Sequence, residues 1–211
     1  MVITKIERLR SHQARYRIRF DDRDPILLSE DLLVKFSLAQ GDEITEETYS
    51  AVSEAEQSAS AKQAAYRYIS YRPRSAAETR MYLLRKGFSG EQADRTILSM
   101  TRLGLIDDES FAAMVTRDAV SRGNTGPLGI RKKLGQKGIR KEIIQRLLGE
   151  YFTDELQRER AVELLKKRIR RTERSLKKLQ PAQRRARLFQ FLAQRGFSGD
   201  AARHALKQIE V

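Results

Sequence analysis

The spacing of apolar and polar positions changes period near residue 60 of the chain. Between Arg15 and Phe20, the apolar Tyr16, Ile18 and Phe20 alternate with Arg15, Arg17 and Arg19. A period of two predicts a half-buried strand. Val2, Ile3 and Ile6 predict a partner strand before it, and Pro25 to Leu28 a short third one. Ser29 stands where an N-cap is expected, with Glu30 and Asp31 in the electropositive first turn of a helix that Gly41 stops. Thr45, followed by Glu46, Glu47 and Thr48, predicts another helix start, running toward Ala59. Residues 1–60 therefore read as an N-terminal β-hairpin module with a connecting helix.

From about Ala61 the apolar positions recur every three to four residues, the period of a helix. AKQAAYRYISY predicts a helix that ends before Pro73. Ser75-Ala-Ala-Glu78 predicts a capping box, in which the serine accepts from the third backbone N–H and the glutamate reaches back. Gly87 suits a left-handed helix end, and a further helix runs from about Glu91 to Leu103. This pattern then returns. YLLRKGF (Tyr82 to Phe88), KLGQKGI (Lys133 to Ile139) and FLAQRGF (Phe191 to Phe197) align on Gly87, Gly138 and Gly196, 51 and 58 residues apart. Apolar residues follow each in helical phase: Ala93, Ile144 and Ala202, then Ile97, Leu148 and Leu206, then Met100, Tyr151 and Ile209.

The second copy opens with Asp107 as N-cap, Asp108 and Glu109 on the helix dipole, and a buried stripe of Phe111, Val115 and Ala119. Pro127 suits a first helical turn. The third starts near Thr153 with a long helix whose apolar stripe is Val162, Leu165, Ile169, Thr172, Leu176 and Leu179, and Pro181 begins the next helix. Repeats of this size stack, because each unit is too small to bury its own apolar face. The expected fold is mainly α: three tandem three-helix repeats, at 61–105, 106–151 and 152–211, in an elongated curved array behind the small β-rich module.

Charge sharpens the picture. The net charge is +14, but residues 1–60 carry 8 basic and 12 acidic side chains, residues 61–150 carry 18 and 9, and residues 151–211 carry 16 and 7. The repeats are basic and the first module is mildly acidic. Such a field suits a polyanion or an acidic protein surface. The cations fall into three clusters: Arg72 with Arg74; Arg131, Lys132 and Lys133 with Lys137, Arg140 and Lys141; and a run from Lys166 to Lys178, where Lys167, Arg171, Arg174 and Lys178 form one stripe. A phosphate lattice asks for many spaced cations of no particular geometry, although any single arginine can equally solvate a helix face.

Candidate chemistry is thin. There is no cysteine, so disulfides and Cys-based metal sites are excluded. His12 and His204 lie far apart and flank no acid cluster. Asp107, Asp108 and Glu109 are consecutive on a helix, so they point apart and serve as N-terminal caps rather than a general acid/base pair. GNTGPLG lacks the lysine and hydroxyl of a phosphate-binding loop. No enzyme activity and no cofactor are expected. No apolar run approaches the ~20 residues of a membrane span, and MVITKIERLR lacks the apolar core of a signal peptide, so a cytoplasmic protein without a membrane partner is expected. Tyr66, Tyr68 and Tyr71 beside Arg67 and Arg72 could stack on bases, but the shared spacing of Tyr66 and Ile69 places both toward the core.

The segments AAYRYISYRPRSAAETRMYLLRKGF, GLIDDESFA, IRKKLGQKGI and LFQFLAQRGFSGDAARHAL, in this order, resemble the RecX family, bacterial regulators of the RecA recombinase. KIERLR, ARYRIRF and DLLVKFSLAQGDEI are similar to the N-terminal extension of its longer members. The third copy departs most, with Phe189 where Arg80 and Arg131 stand in the others. The resemblance implies a monomer that binds along the groove of the RecA–single-stranded DNA filament. It would block filament extension or promote filament disassembly, limit ATP hydrolysis, and so restrain recombination and the SOS response, within DNA repair. It also implies some nonspecific affinity for single-stranded and double-stranded DNA. The competing reading from the residues alone is a sequence-nonspecific DNA-binding or transcription-regulating helical protein.

Overall fold

A computed structural model describes residues 1–10 and 14–209; His12 lies outside them. Among the described residues the chain forms three strands and ten helices. Strands β1 (Ile3–Arg8), β2 (Arg15–Phe20) and β3 (Ile26–Ser29) pair antiparallel in the order β1-β2-β3. The alternation in β2 does what its period predicts: Ile18 and Phe20 are buried and Arg19 faces outward. Ile3, Leu28, Leu38 and Val52 complete that core.

Helix α1 (Glu30–Lys35) is shorter than expected. Ser29 holds its N-cap position without a side-chain bond, and the helix is already over at Ser37 (φ 48°), ahead of the turn at Gly41 (φ 94°). Gly41 instead donates its N–H to the Ile3 carbonyl at 2.9 Å. Helix α2 (Glu46–Ser70) is one continuous helix of 25 residues, where two were expected on either side of residue 60. The stretch Gln57 to Ala64 holds no proline or glycine, so nothing interrupts the hydrogen-bond ladder. Thr45 caps it by accepting from the Thr48 N–H at 3.2 Å.

The remaining helices are α3 (Ala76–Arg85), α4 (Gly90–Arg102), α5 (Asp108–Arg122), α6 (Pro127–Gln136), α7 (Lys141–Tyr151), α8 (Asp154–Leu176), α9 (Pro181–Gln194) and α10 (Gly199–Gln208). The three glycine motifs end α3, α6 and α9 identically. Gly87, Gly138 and Gly196 take φ of 92°, 74° and 80°. The next N–H donates back across the turn: Phe88 to Leu83 at 3.2 Å, Ile139 to Leu134 at 3.1 Å, and Phe197 to Leu192 at 3.2 Å. This backbone reversal requires a left-handed residue. It drives Leu83, Leu134 and Leu192 fully into their cores.

The chain divides into two compact units, Met1–Arg72 with Thr79–Leu105, and Pro73–Glu78 with Ile106–Val211. In the first unit α2 packs on α4, with Arg95 of α4 paired to Glu54 of α2 at 2.5 Å. In the second, α5, α6 and α7 share a core around Phe111, Ile130, Leu134 and Leu147. The α8, α9 and α10 core is built on Leu165, Leu188, Leu192 and Phe197. Two joints lock the second unit together. The start of α3 sits on the Gly138 turn: Ser75 Oγ donates to the Lys137 carbonyl at 2.7 Å. The start of α6 sits on the Gly196 turn: Gly126 N–H donates to the Arg195 carbonyl at 2.8 Å and Leu128 N–H to that of Gly196 at 3.0 Å.

Candidate functional site

The predicted caps form. Ser75 and Glu78 make both bonds of the capping box, at 3.1 and 3.3 Å. Asp107 accepts from the N–H groups of Glu109 and Ser110 at 2.9 and 3.1 Å and from the Ser110 hydroxyl at 2.7 Å. Those bonds hold its carboxyl below the ordinary aspartate range, the Ser110 hydroxyl contributing most. The acid trio is thus a helix start. No group of three or more His, Asp or Glu side chains converges among the described residues.

The cations divide by what they touch. The third helix of each copy is tied to the first by one exposed ion pair: Arg95 to Glu54, Arg146 to Glu109 at 2.8 Å, and Arg158 to Asp200 at 2.9 Å. In the first copy Arg80 grips Asp94 with two bonds, at 2.6 and 3.1 Å. These arginines hold the Asp94 and Asp200 carboxyls low. Two of the predicted binding cations are also engaged internally. Lys137 Nζ meets Glu78, and the half-buried Arg74 lies 4.0 Å from the same carboxylate. Both belong to the joint that seats residues 73–78 on the Gly138 turn.

Arg72, at the end of α2, is exposed. Arg131, Lys132 and Lys133 project from α6, and Arg140 and Lys141 begin α7, all exposed. Lys167, Arg171 and Arg174 of α8, and Lys178 just past its end, are exposed as well. None of these four meets a carboxylate in an ion pair among the described residues. The apolar stripe opposite behaves as its spacing predicts, with Val162, Leu165 and Leu176 buried. The helix is not straight, however. Thr172 leaves helical geometry (φ −122°, ψ 16°), and its hydroxyl donates to the Arg168 carbonyl at 2.8 Å. A threonine that bonds back to the preceding turn bends a helix, so the basic stripe is bent at its middle.

Tyr66 does not face the core; it is 56% exposed, and Tyr71 is 87% exposed. Tyr68 takes the inward role instead, stacked on Tyr82 with ring centroids 4.1 Å apart. Spacing alone does not separate Tyr66 from Tyr68, because each stands three residues from an inward position, Ile69 or Ala65.

Family models for the first, second and third three-helix domains of RecX match residues 61–98, 107–148 and 155–206. A "Regulatory protein RecX" of Lactococcus lactis subsp. cremoris is 30% identical over 98% of this chain and 77% of its own length. The chain belongs to the RecX family. Another RecX, from Listeria monocytogenes, is 28% identical over 97% of the chain and 74% of its own length. The RecX of Lactobacillus delbrueckii subsp. bulgaricus matches at 33% over 73% of the chain, and the match spans 56% of that relative's length. Among solved structures, a crystal structure of regulatory protein RecX aligns with a TM-score of 0.74 and 29% identity, covering 98% of both chains. RecX from Lactobacillus salivarius aligns with a TM-score of 0.64 and 26% identity, over 74% of this chain and 98% of that one. The RecX models fall on α2 to α4, α5 to α7 and α8 to α10.

Proposed function

We propose that this protein is a negative regulator of RecA that binds the RecA–single-stranded DNA filament and limits its extension and ATP hydrolysis. The observation that carries the reading is the line of Lys167, Arg171, Arg174 and Lys178. It lies on a RecX repeat whose own packing is complete without these four side chains. Exposed cations without intramolecular partners are free to meet phosphates or acidic protein surface. Lys132, Lys133, Arg140 and Lys141 add further exposed cations in the same unit, and the protein acts by binding rather than catalysis. The test is a titration of RecA ATPase on single-stranded DNA. Inhibition at amounts below one protein per RecA is expected, and no effect at any ratio would overturn the reading.

A second reading, nonspecific DNA binding without RecA, is favoured by one observation. Tyr66 and Tyr71 are exposed beside Arg67 and Arg72, and aromatic rings interleaved with cations suit unpaired bases. Affinity for an oligothymidylate that equals affinity for the RecA-coated strand would favour this reading over the first.

A further inference from the structure

The three copies build the same place between their second and third helices and fill it differently. In the first copy the corresponding position is Leu84 of α3, half-buried, and Arg80 is held by its two bonds to Asp94 of α4. In the third copy the positions of Arg80 and Leu84 hold Phe189 and Ala193, and Phe189 packs against that copy's core. The second copy keeps the arginine, as Arg131, but has Gly135 where the first has Leu84, and Gln145 where the first has Asp94. A side chain at Gly135 would meet nothing within 4 Å. A groove of about 510 Å³ opens there, lined by Arg131, Gly135, Ile139, Lys141, Ile144 and Gln145. Each of the six stands 51 residues after its counterpart Arg80, Leu84, Phe88, Gly90, Ala93 or Asp94.

Three features describe what is missing from this groove. Its floor, Ile139 and Ile144, is apolar and buried. Its rim carries Arg131 and, in the place of Gly90, a second cation, Lys141. No carboxylate meets Arg131 in an ion pair among the described residues. We propose that the α6–α7 groove docks a segment of a partner protein that carries an aliphatic or aromatic side chain beside a carboxylate. Those are the two groups that Leu84 and Asp94 supply in the first copy. A nucleic-acid backbone offers the anion without the aliphatic group, and it would leave the floor unfilled. The inference rests on reading the chain as a partner-binding protein, and it assigns Arg131 and Lys141 to protein rather than phosphate.

Gly135→Leu tests this without changing charge. The variant should melt at or above the parent's temperature, since leucine is the better helix former. Its affinity for RecA–single-stranded DNA filaments should fall about tenfold or more, the usual effect of losing a buried anchor. Its affinity for bare oligothymidylate should stay unchanged. Gln145→Asp, which returns to Arg131 its internal carboxylate, should weaken filament binding in the same direction and guards against misfolding of the first variant. A folded Gly135→Leu protein that binds filaments like the parent overturns the proposal. So does an equal loss on oligothymidylate, which would give the groove to phosphate. If the parent itself ignores RecA, the functional reading fails instead. The groove is then judged with a labelled peptide alternating leucine and glutamate, against an all-glutamate peptide of equal length. A preference for the leucine peptide that Gly135→Leu removes supports the groove, and equal binding overturns it.

Discussion

The hydroxyl of Ser75 donates to the carbonyl of Lys137 at 2.7 Å while accepting from the Glu78 N–H at 3.1 Å. One buried side chain thus caps the first turn of α3 and joins that turn to the Gly138 turn within the second unit. Ser75→Ala removes both bonds and leaves the partly buried Lys137 carbonyl without this donor. We expect a loss of about 1–3 kcal/mol in urea unfolding of the full chain. A change below about 0.5 kcal/mol, the usual range for surface substitutions, would show that the joint contributes nothing.

The three motif glycines should differ in tolerance although their backbones match. At Gly87 an added methyl meets nothing within 4 Å, so alanine there costs only the left-handed backbone, about 1–2 kcal/mol. At Gly138 the methyl would be driven into Ala77, and at Gly196 into the backbone of Gly129. Gly138→Ala and Gly196→Ala should therefore lower the melting temperature more than Gly87→Ala. Equal shifts would mean that the joints yield freely.

The phenylalanines that follow Gly87 and Gly196 obey the same logic. Phe197 is buried at 2% exposure and Phe88 is only half-buried. Phe197→Ala should cost on the order of 3–5 kcal/mol, and Phe88→Ala clearly less, as read by chemical denaturation of the two variants.

Acid should loosen the start of α5. Asp107 is held as a carboxylate in the fold, so its folded pKa lies below its unfolded value. The stability it adds is complete above about pH 4, the ordinary aspartate value, and is lost as pH falls through the lower folded one. Asp107→Asn keeps a good N-cap without a titrating group. The variant should show a shallower loss of melting temperature between about pH 5 and pH 3 than the parent. Parallel curves would overturn the assignment.

The stripe on α8 should carry binding and not folding. Exposed charges contribute little to stability. Changing Lys167, Arg171, Arg174 and Lys178 together to glutamate should leave the melt nearly unchanged and strongly weaken inhibition of RecA filament ATPase. Inhibition by the parent should decline with added salt, because neutralised phosphates release counterions. A quadruple variant that folds and inhibits normally would move the surface to the second copy.

Local chemistry was the readable part of this molecule. Gly87, Gly138 and Gly196 end helices, Ser75 and Asp107 begin them, and Pro127 and Pro181 sit in first turns, because each role depends on neighbours a few residues away. What escaped was decided by distant partners. Nothing near Lys137 in sequence announces Glu78, 59 residues earlier. Nothing in the run from Lys166 to Lys178 marks Thr172 as a bend, since an apolar stripe continues through it. Continuity of α2 across residue 60 went unseen because a change in composition there resembles a boundary, while the backbone needs a breaker to stop. The α6–α7 groove was visible only as two substitutions between aligned copies, and their meaning required knowing that Arg80 reaches Asp94.

The seating of residues 73–78 in the second unit also has a consequence in time. Ser75 leaves the ribosome 62 residues ahead of its acceptor Lys137. At about 5–20 residues per second, that is a wait of roughly 3–12 s. During that interval the first turn of α3 has its own capping box and, once Asp108 emerges, a bond from the Ala76 N–H to that carboxylate, but not the Lys137 carbonyl. In nascent chains residues 73–78 should stay open to proteases until the second glycine turn emerges, and then become protected.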